Sequence, residues 1–345
     1  MNQIENFAKL KRVYKARGIA LALGAGVSYD SNVPDWRRLL ERIAQRIYGP
    51  TGNSRVTEMV AEGYSLPSIA SVLEAGWKKN GTGSPKFAEL IRDALYENFN
   101  YYNRALSEVR SFKFESFIKT SNPVLSAIAS LCTQKQNAGH GFVANPLIHA
   151  VANTNFDAIL SEYSKARFQT AIFRTVDRPS AKAISGRINV YHVHGFFQFV
   201  DGLIGDLTKE APDIRVLTEQ EFFDFFNRPN SLFNYTFLHL LREYTVLFIG
   251  MSLKDDNVRR LLHYSRTEMQ ESYERENISP DEAEAETIRH YAIQKPVKSS
   301  YLNEMTETSL QRLGIRVIWV DDFPDIPGLL AELYESNGKK WSDVL

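Results

Sequence analysis

Apolar residues gather in a few short unbroken runs, and between those runs they recur every three or four positions. IALAL (residues 19–23) is apolar throughout, and the runs inside LIHAVANTNFD, INVYHVHG, YTVLFIGMS, HYAI (290–293) and GIRVIWVDD are nearly so. Runs of that length bounded by Gly, Asn and Asp predict strands buried on both faces. LKRVYKARG predicts an amphipathic first helix. From Ser31 to Tyr48 the apolar positions Val33, Trp36, Leu39, Leu40, Ile43 and Ile47 fit a helix laid on a sheet. SIASVLEAGW, KFAELIRDALYENF and NPVLSAIASLC carry the same helical spacing, broken by turn residues such as Lys79–Gly83. Strands alternating with helices predict an α/β fold with a mostly parallel sheet covered on both faces. One domain is expected over 1–345, with 49–146 as an inserted helical subdomain, and no internal repeat is visible.

Composition narrows the class. With 345 residues and 43% hydrophobic content the chain can bury a large core, and 41 basic residues balance 41 acidic ones. That balance gives no electrostatic case for an obligatory nucleic-acid or anionic-membrane partner. Cys132 is the single cysteine, so cysteine-based zinc sites and disulfide frameworks are excluded by count, and no metal is expected. MNQIENFAKLKRVYKARG has no apolar core of an export signal and no run reaches the roughly 20 residues of a membrane span, so a reducing, cytoplasmic setting is expected. The acidic stretch ESYERENISPDEAEAE (271–286) reads as a solvated surface helix and loop.

In open parallel sheets ligands bind beyond the carboxyl ends of the strands, and four polar clusters stand there. Gly24-Ala25-Gly26-Val27-Ser28 ends the first apolar run; glycines let a backbone approach a pyrophosphate, although a tight strand-to-helix turn needs glycine too. Thr154-Asn155-Phe156-Asp157 offers an amide and a carboxylate, or else an Asx turn and helix cap. In Tyr191-His192-Val193-His194-Gly195 the two histidines share one face of a predicted strand, without a third group to make a metal site. Gly250-Met251-Ser252-Leu253, followed by Asp255 and Asp256, repeats the pattern of strand, glycine and polar residues.

In this order the clusters resemble the SIR2 (sirtuin) superfamily, whose Rossmann-like sheet binds NAD. GAGVSYDSNVPDWRR matches the family's GAGxS and Pro-Asp-Phe-Arg-like elements, with Trp36 in the aromatic place and Asn32 where glycine is usual. Asn155 and Asp157 match the Gln-Asn-x-Asp element with Thr154 in place of glutamine, His194-Gly195 the His-Gly pair, and Gly250-Met251-Ser252 the Gly-Thr-Ser element with methionine in place of threonine. Residues 196–249 hold no cysteine, so the four-cysteine zinc module of deacylase sirtuins is missing, and a Phe-rich helical stretch stands there instead. This pattern is similar to bacterial SIR2-like proteins of anti-phage defence that degrade NAD. The resemblance implies hydrolysis of NAD to nicotinamide and ADP-ribose, with Asn155 fixing the attacking water, Asp157 holding the carboxamide and His194 accepting a proton. It places Gly24, Ala25, Gly26 and Ser28 on the pyrophosphate, with Pro34, Asp35, Trp36 and Arg37 beside them. Gly195, Gly250, Ser252 and Asp256 also line the cofactor site, the last three on the adenosine side. A sirtuin-type protein deacylase or ADP-ribosyltransferase using the same site, which the missing zinc module disfavours, and a non-catalytic NAD or ADP-ribose sensor are the alternatives. Because an unrestrained hydrolase would drain its host, restraint by a second chain, a small ligand or self-assembly is expected; the resemblance makes a HerA-type ATPase the first candidate partner, and a homo-oligomer is the common case for soluble enzymes. The helical region 49–146 and the Phe-rich residues 221–238 are the expected contact surfaces.

Overall fold

A computed structural model describes residues 3–80, 86–97, 107–136, 141–178, 181–198, 216–227 and 232–345. Parts of the expected turn at 79–83, of the 49–146 region and of the Phe-rich stretch lie outside these residues.

The chain opens with helix α1 (Gln3–Arg17) and strand β1 (Ile19–Leu23). Helices α2 (Trp36–Tyr48), α3 (Gly52–Ala61), α4 (Leu66–Asn80), α5 (Phe87–Leu95), α6 (Ser107–Ser121) and α7 (Pro123–Leu131) follow. A short antiparallel hairpin, β2 (Thr133–Lys135) and β3 (Phe142–Ala144), leads into β4 (Ile148–Asn153) and α8 (Ile159–Phe168). Next come β5 (Phe173–Val176), β6 (Ile188–His192), α9 (Glu219–Asn227), α10 (Leu232–Glu243) and β7 (Val246–Ile249). The chain continues through α11 (Asp256–Arg275), α12 (Pro280–Thr287), β8 (His290–Gln294), α13 (Ser300–Gln311), β9 (Ile315–Trp319) and α14 (Ile326–Glu335).

Seven strands form one sheet in the order β5-β6-β4-β1-β7-β8-β9, and every pairing in it is parallel. The fold is thus α/β and Rossmann-like, with strand order reversing at β1, where such sheets open a crevice between neighbouring loops. Side chains alternate between the two faces as the pleat requires. Leu21, Leu23, Val151, Leu247, Ile249 and Ile293 join one core with Leu40, Ile43, Ile91, Ile128, Ile159 and Leu330 from α2, α5, α7, α8 and α14. Ala20, Ala22, Ala150, Ala152, Phe248 and Val317 join the other with Phe237, Leu241, Val258, Leu261 and Leu310 from α10, α11 and α13. The alanines of β1 and β4 keep that second face shallow where α10 and α11 cover it. The helices between β1 and β4 contribute to the same core as the central strands.

Several local expectations change. The helix expected from Ser31 begins at Trp36, because the Asp35 carboxylate accepts from Arg38 N–H (2.8 Å) and caps it there. Asn32 takes a left-handed conformation (φ 61°), which asparagine tolerates better than other non-glycine residues, so it serves where glycine is usual. β6 stops at His192, so His192 and His194 do not share a strand face: His194 lies in the turn beyond, ahead of Gly195 at φ 115°. The edge strand β5 and the β2–β3 hairpin carry too little apolar signal to stand out in the sequence. Among the described residues no helix is long and apolar enough to cross a membrane.

Candidate active site

Strand register brings the site together. Leu23 pairs with Asn153 on one side and Ile249 on the other, and Asn153 pairs with His192, so β6, β4, β1 and β7 end in one level row. The residues that follow, Val193, Thr154, Gly24 and Gly250, therefore emerge side by side. All four polar clusters meet at this edge.

The loop after β1 is packed tightly against the loop after β7. Gly26 N–H donates to Gly250 O (3.0 Å) and Gly24 N–H to Ile249 O (3.1 Å). A Cβ on Gly24 would meet Gly250 O at 2.7 Å, and one on Gly250, which sits at φ +67°, would meet Val27 N at 2.6 Å. These glycines answer first to the approach of two backbones. The N–H groups of Val27 and Ser28 also donate within the turn, to Gly24 O and Ala25 O. From the helical region Asn122, fully buried, donates to Val27 O and Ser31 Oγ (both 2.7 Å) and fixes this loop from behind.

Asn155 is the hub. Its backbone N–H donates to Asn153 Oδ1 (3.0 Å), an Asx turn, and its Nδ2 donates to Gly24 O (3.0 Å) and Ser28 Oγ (3.2 Å). Its carbonyl takes a hydrogen bond from His192 Nδ1 (3.1 Å), which requires the proton on Nδ1. Burial pushes the His192 imidazole down to about 4, so it is neutral at physiological pH, and its ring packs on Phe196. Asp157, 4% exposed, accepts from Ile159 N–H (3.0 Å) and is also bonded to Ser28. Burial dominates and raises its carboxyl above the usual range, with both hydrogen bonds pulling the other way. Thr154 turns its hydroxyl back to Leu23 O (3.0 Å).

A pocket of about 90 Å³ lies over this network, lined by Ala25, Ser28, Pro34, Trp36, Asn155 and Asp157 among others. The Trp36 Nε1 is buried without a hydrogen-bond partner among the described residues. Asp35 is spent on the α2 cap, and Arg37 pairs with Glu41 (3.0 Å) along the helix, so neither joins the pocket lining.

His194 lines a second, smaller cavity with Thr154, Phe233, Asn234 and Asn257. Its imidazole is lowered by burial and pushed back up by the Asp255 carboxylate. Gly250 and Ser252 lie on the loop after β7 and Asp256 is the first residue of α11, with Ser252 and Asp256 exposed to solvent. Asp255 is the N-cap of α11, and its negative charge raises the His194 imidazole against the effect of burial. The signal for it was in the sequence: of two adjacent aspartates opening a helix, the first is the capping residue and lies in extended backbone nearer the strand end. Ser28 as the bridge between Asn155 and Asp157, and Asn122 behind the loop, had no such local signal. No group of three or more His, Cys, Asp or Glu suited to a metal occurs among the described residues.

The chain is similar to Defense-associated sirtuin 2 of Bacillus subtilis, at 22% identity over 293 residues. That alignment covers 84% of this chain and 24% of the relative, so the chain spans about a quarter of that protein's length. The SIR2-like domain family matches residues 149–318, a span that begins in β4, ends in β9 and includes Asn155, Asp157, His194, Gly250, Asp255 and Asp256. The level strand ends and the Asn155 hub thus stand in or beside the stretch, residues 149–318, over which the chain resembles the SIR2-like domain family.

Proposed function

We propose that this protein hydrolyses NAD at the nicotinamide–ribose bond and does so in defence against phage. The observation that carries the reading is the junction of Asn155, Ser28 and Asp157 beneath one pocket, with His194 at the next strand end. The similarity to a defence-associated sirtuin supports the biological role.

The reaction needs little acid–base work on the leaving group. As the C1′–N bond breaks, its electron pair passes to the pyridinium nitrogen, nicotinamide departs neutral, and positive charge grows on the ribosyl carbon. Water adds to C1′ and gives up one proton, so NAD and water become nicotinamide, ADP-ribose and a proton. In this reading Asp157, oriented by Ile159 N–H and Ser28, meets the carboxamide. The Asn155 side chain, held against Gly24 O and Ser28 Oγ, fixes the ribosyl end and the water. His194, neutral through burial, accepts the proton. Gly24–Ser28 and the Gly250–Ser252 loop flank the phosphates and the adenosine.

Release of nicotinamide from NAD by the purified protein, with and without an acylated peptide, tests the reading. Asn155→Ala and His194→Ala should each lower the rate by about 10² to 10⁴. Turnover that needs the peptide would make the protein a deacylase, and NAD binding without turnover would make it a sensor. An enzyme that drains NAD must be restrained, and we extend the proposal to self-association or a HerA-type ATPase as the restraint. Turnover that rises or falls with protein concentration or with that partner supports it, and full turnover by a monomer counts against it.

A further inference from the structure

Helix α11 turns one stripe of side chains inward: Asn257, Val258, Leu261, Leu262 and Ser265 are its buried residues. Val258, Leu261 and Leu262 join the core that covers the alanines of β1 and β4. Asn257 opens that stripe, at a position where the helical spacing calls for an apolar residue. It is 1% exposed, yet neither its Nδ2 nor its Oδ1 finds a partner among the described residues. Other buried amides are bonded: Asn122 to Val27 O and Ser31 Oγ, Asn145 to Tyr14 Oη and Leu131 O, and Asn155 to Gly24 O and Ser28 Oγ. A buried amide without partners costs stability that a leucine in its place would not.

The surroundings of Asn257 say what could satisfy it. It lines the small cavity at the strand ends together with His194, Thr154, Asn234, Phe233 and Phe237. The space is about 10 Å³, the room of a single water, so a ring does not fit and a hydroxyl-sized group does. The Thr154 hydroxyl is already spent on Leu23 O. An amide both donates and accepts, and so does a neutral imidazole. A hydroxyl group answers both, whereas a phosphate oxygen only accepts and would leave the amide oxygen unpaired.

We propose that Asn257 is a substrate-binding residue: its amide takes a hydroxyl of the ribose that is cleaved from nicotinamide, in the cavity it shares with His194. The identity of that ribose rests on the hydrolase reading, in which His194 receives the proton beside C1′. The orphaned amide and the shared cavity do not depend on it.

Titration calorimetry of the purified protein with ADP-ribose, and with ADP, which lacks the terminal ribose, tests the assignment. Asn257→Leu keeps the branching of the side chain without its polar atoms. Asn257→Ala removes the amide and leaves the space open, so a loss shared by both variants is not the effect of a blocked cavity. Each should weaken ADP-ribose binding roughly tenfold and leave ADP binding unchanged. In NAD hydrolysis kcat/KM should fall by a similar factor. Asn257→Leu should at the same time melt above the wild type, and a residue kept for packing alone would not gain stability while losing the ligand. A wild-type protein that binds ADP-ribose without cleaving NAD defeats the hydrolase reading and leaves the calorimetry to decide the role of Asn257. Unchanged ADP-ribose affinity in Asn257→Ala, an equal loss for ADP, or a wild type that binds ADP-ribose no more tightly than ADP overturns the proposal.

Discussion

Two buried histidines should make this fold acid-sensitive well above the range where carboxylates titrate. Burial lowers His192 from 6.5 to about 4 and His290 from 6.5 to about 3. His192 donates from Nδ1 to Asn155 O, and His290 Nδ1 accepts from Val246 N–H, so protonating His290 on Nδ1 also breaks a backbone bond at the start of β7. Between the folded and unfolded values the unfolded chain binds more protons, so stability rises with pH there and is lost as pH falls below 6.5. At about pH 5 each histidine has lost about 2 kcal/mol, or about 4 kcal/mol together, against a total of about 5–15 kcal/mol for a domain. His194, also lowered by burial, adds in the same direction, whereas Asp157, raised by burial, gains stability as pH falls and offsets a part. The assay is urea unfolding followed by tryptophan fluorescence across that pH interval. His192→Asn and His290→Asn provide the control, since asparagine reproduces either Nδ1 hydrogen bond and does not titrate. These variants start less stable at neutral pH because of the volume lost, so the slope with pH is the readout. Wild-type stability that is flat over the interval, or an unaltered slope in the double variant, refutes the argument.

Gly250→Ala should be strongly destabilising, because alanine must adopt φ +67° and bring its Cβ within 2.6 Å of Val27 N; a melting temperature within a degree or so of wild type would show that the β1 and β7 loops do not meet as described. Asn257→Leu should raise stability by about 1–3 kcal/mol, since both amide atoms of Asn257 are buried without a partner among the described residues, and calorimetry showing a loss would mean the amide is satisfied in solution.

Much of the fold was written in the apolar runs. Strands β1, β4, β6, β7, β8 and β9 are fully or mostly buried and announce themselves by composition alone, because helices cover both faces and no polar alternation is needed. β5 was not legible: at the sheet edge, FRTV places Arg174 and Thr175 half-exposed between two buried residues, a pattern too short to separate from a loop. The helix boundary at Asp35 and the choice between Asp255 and Asp256 turn on the same rule, that a capping aspartate sits outside the helix it starts. Local periodicity does not decide that boundary. Asn122 was hidden for another reason. Its partners Val27 and Ser31 lie about ninety residues away in sequence, and only the packing of α7 behind the β1 loop reveals the contact.

The strand register shows why a weak motif in each cluster becomes a strong one together. Taken singly, Gly24-Ala25-Gly26 is explained by a close approach to Gly250, Asn155 by an Asx turn and Asp255 by a helix cap. Each structural duty leaves something over. Asn155 spends its backbone N–H on the turn while its side chain ties Gly24 to Ser28. Leu23, Asn153, His192 and Ile249 stand in one row, so these surplus groups lie along the same edge of the sheet. Substitutions that keep the structural duty and remove only the surplus are therefore the ones that separate chemistry from scaffold at this edge of the sheet.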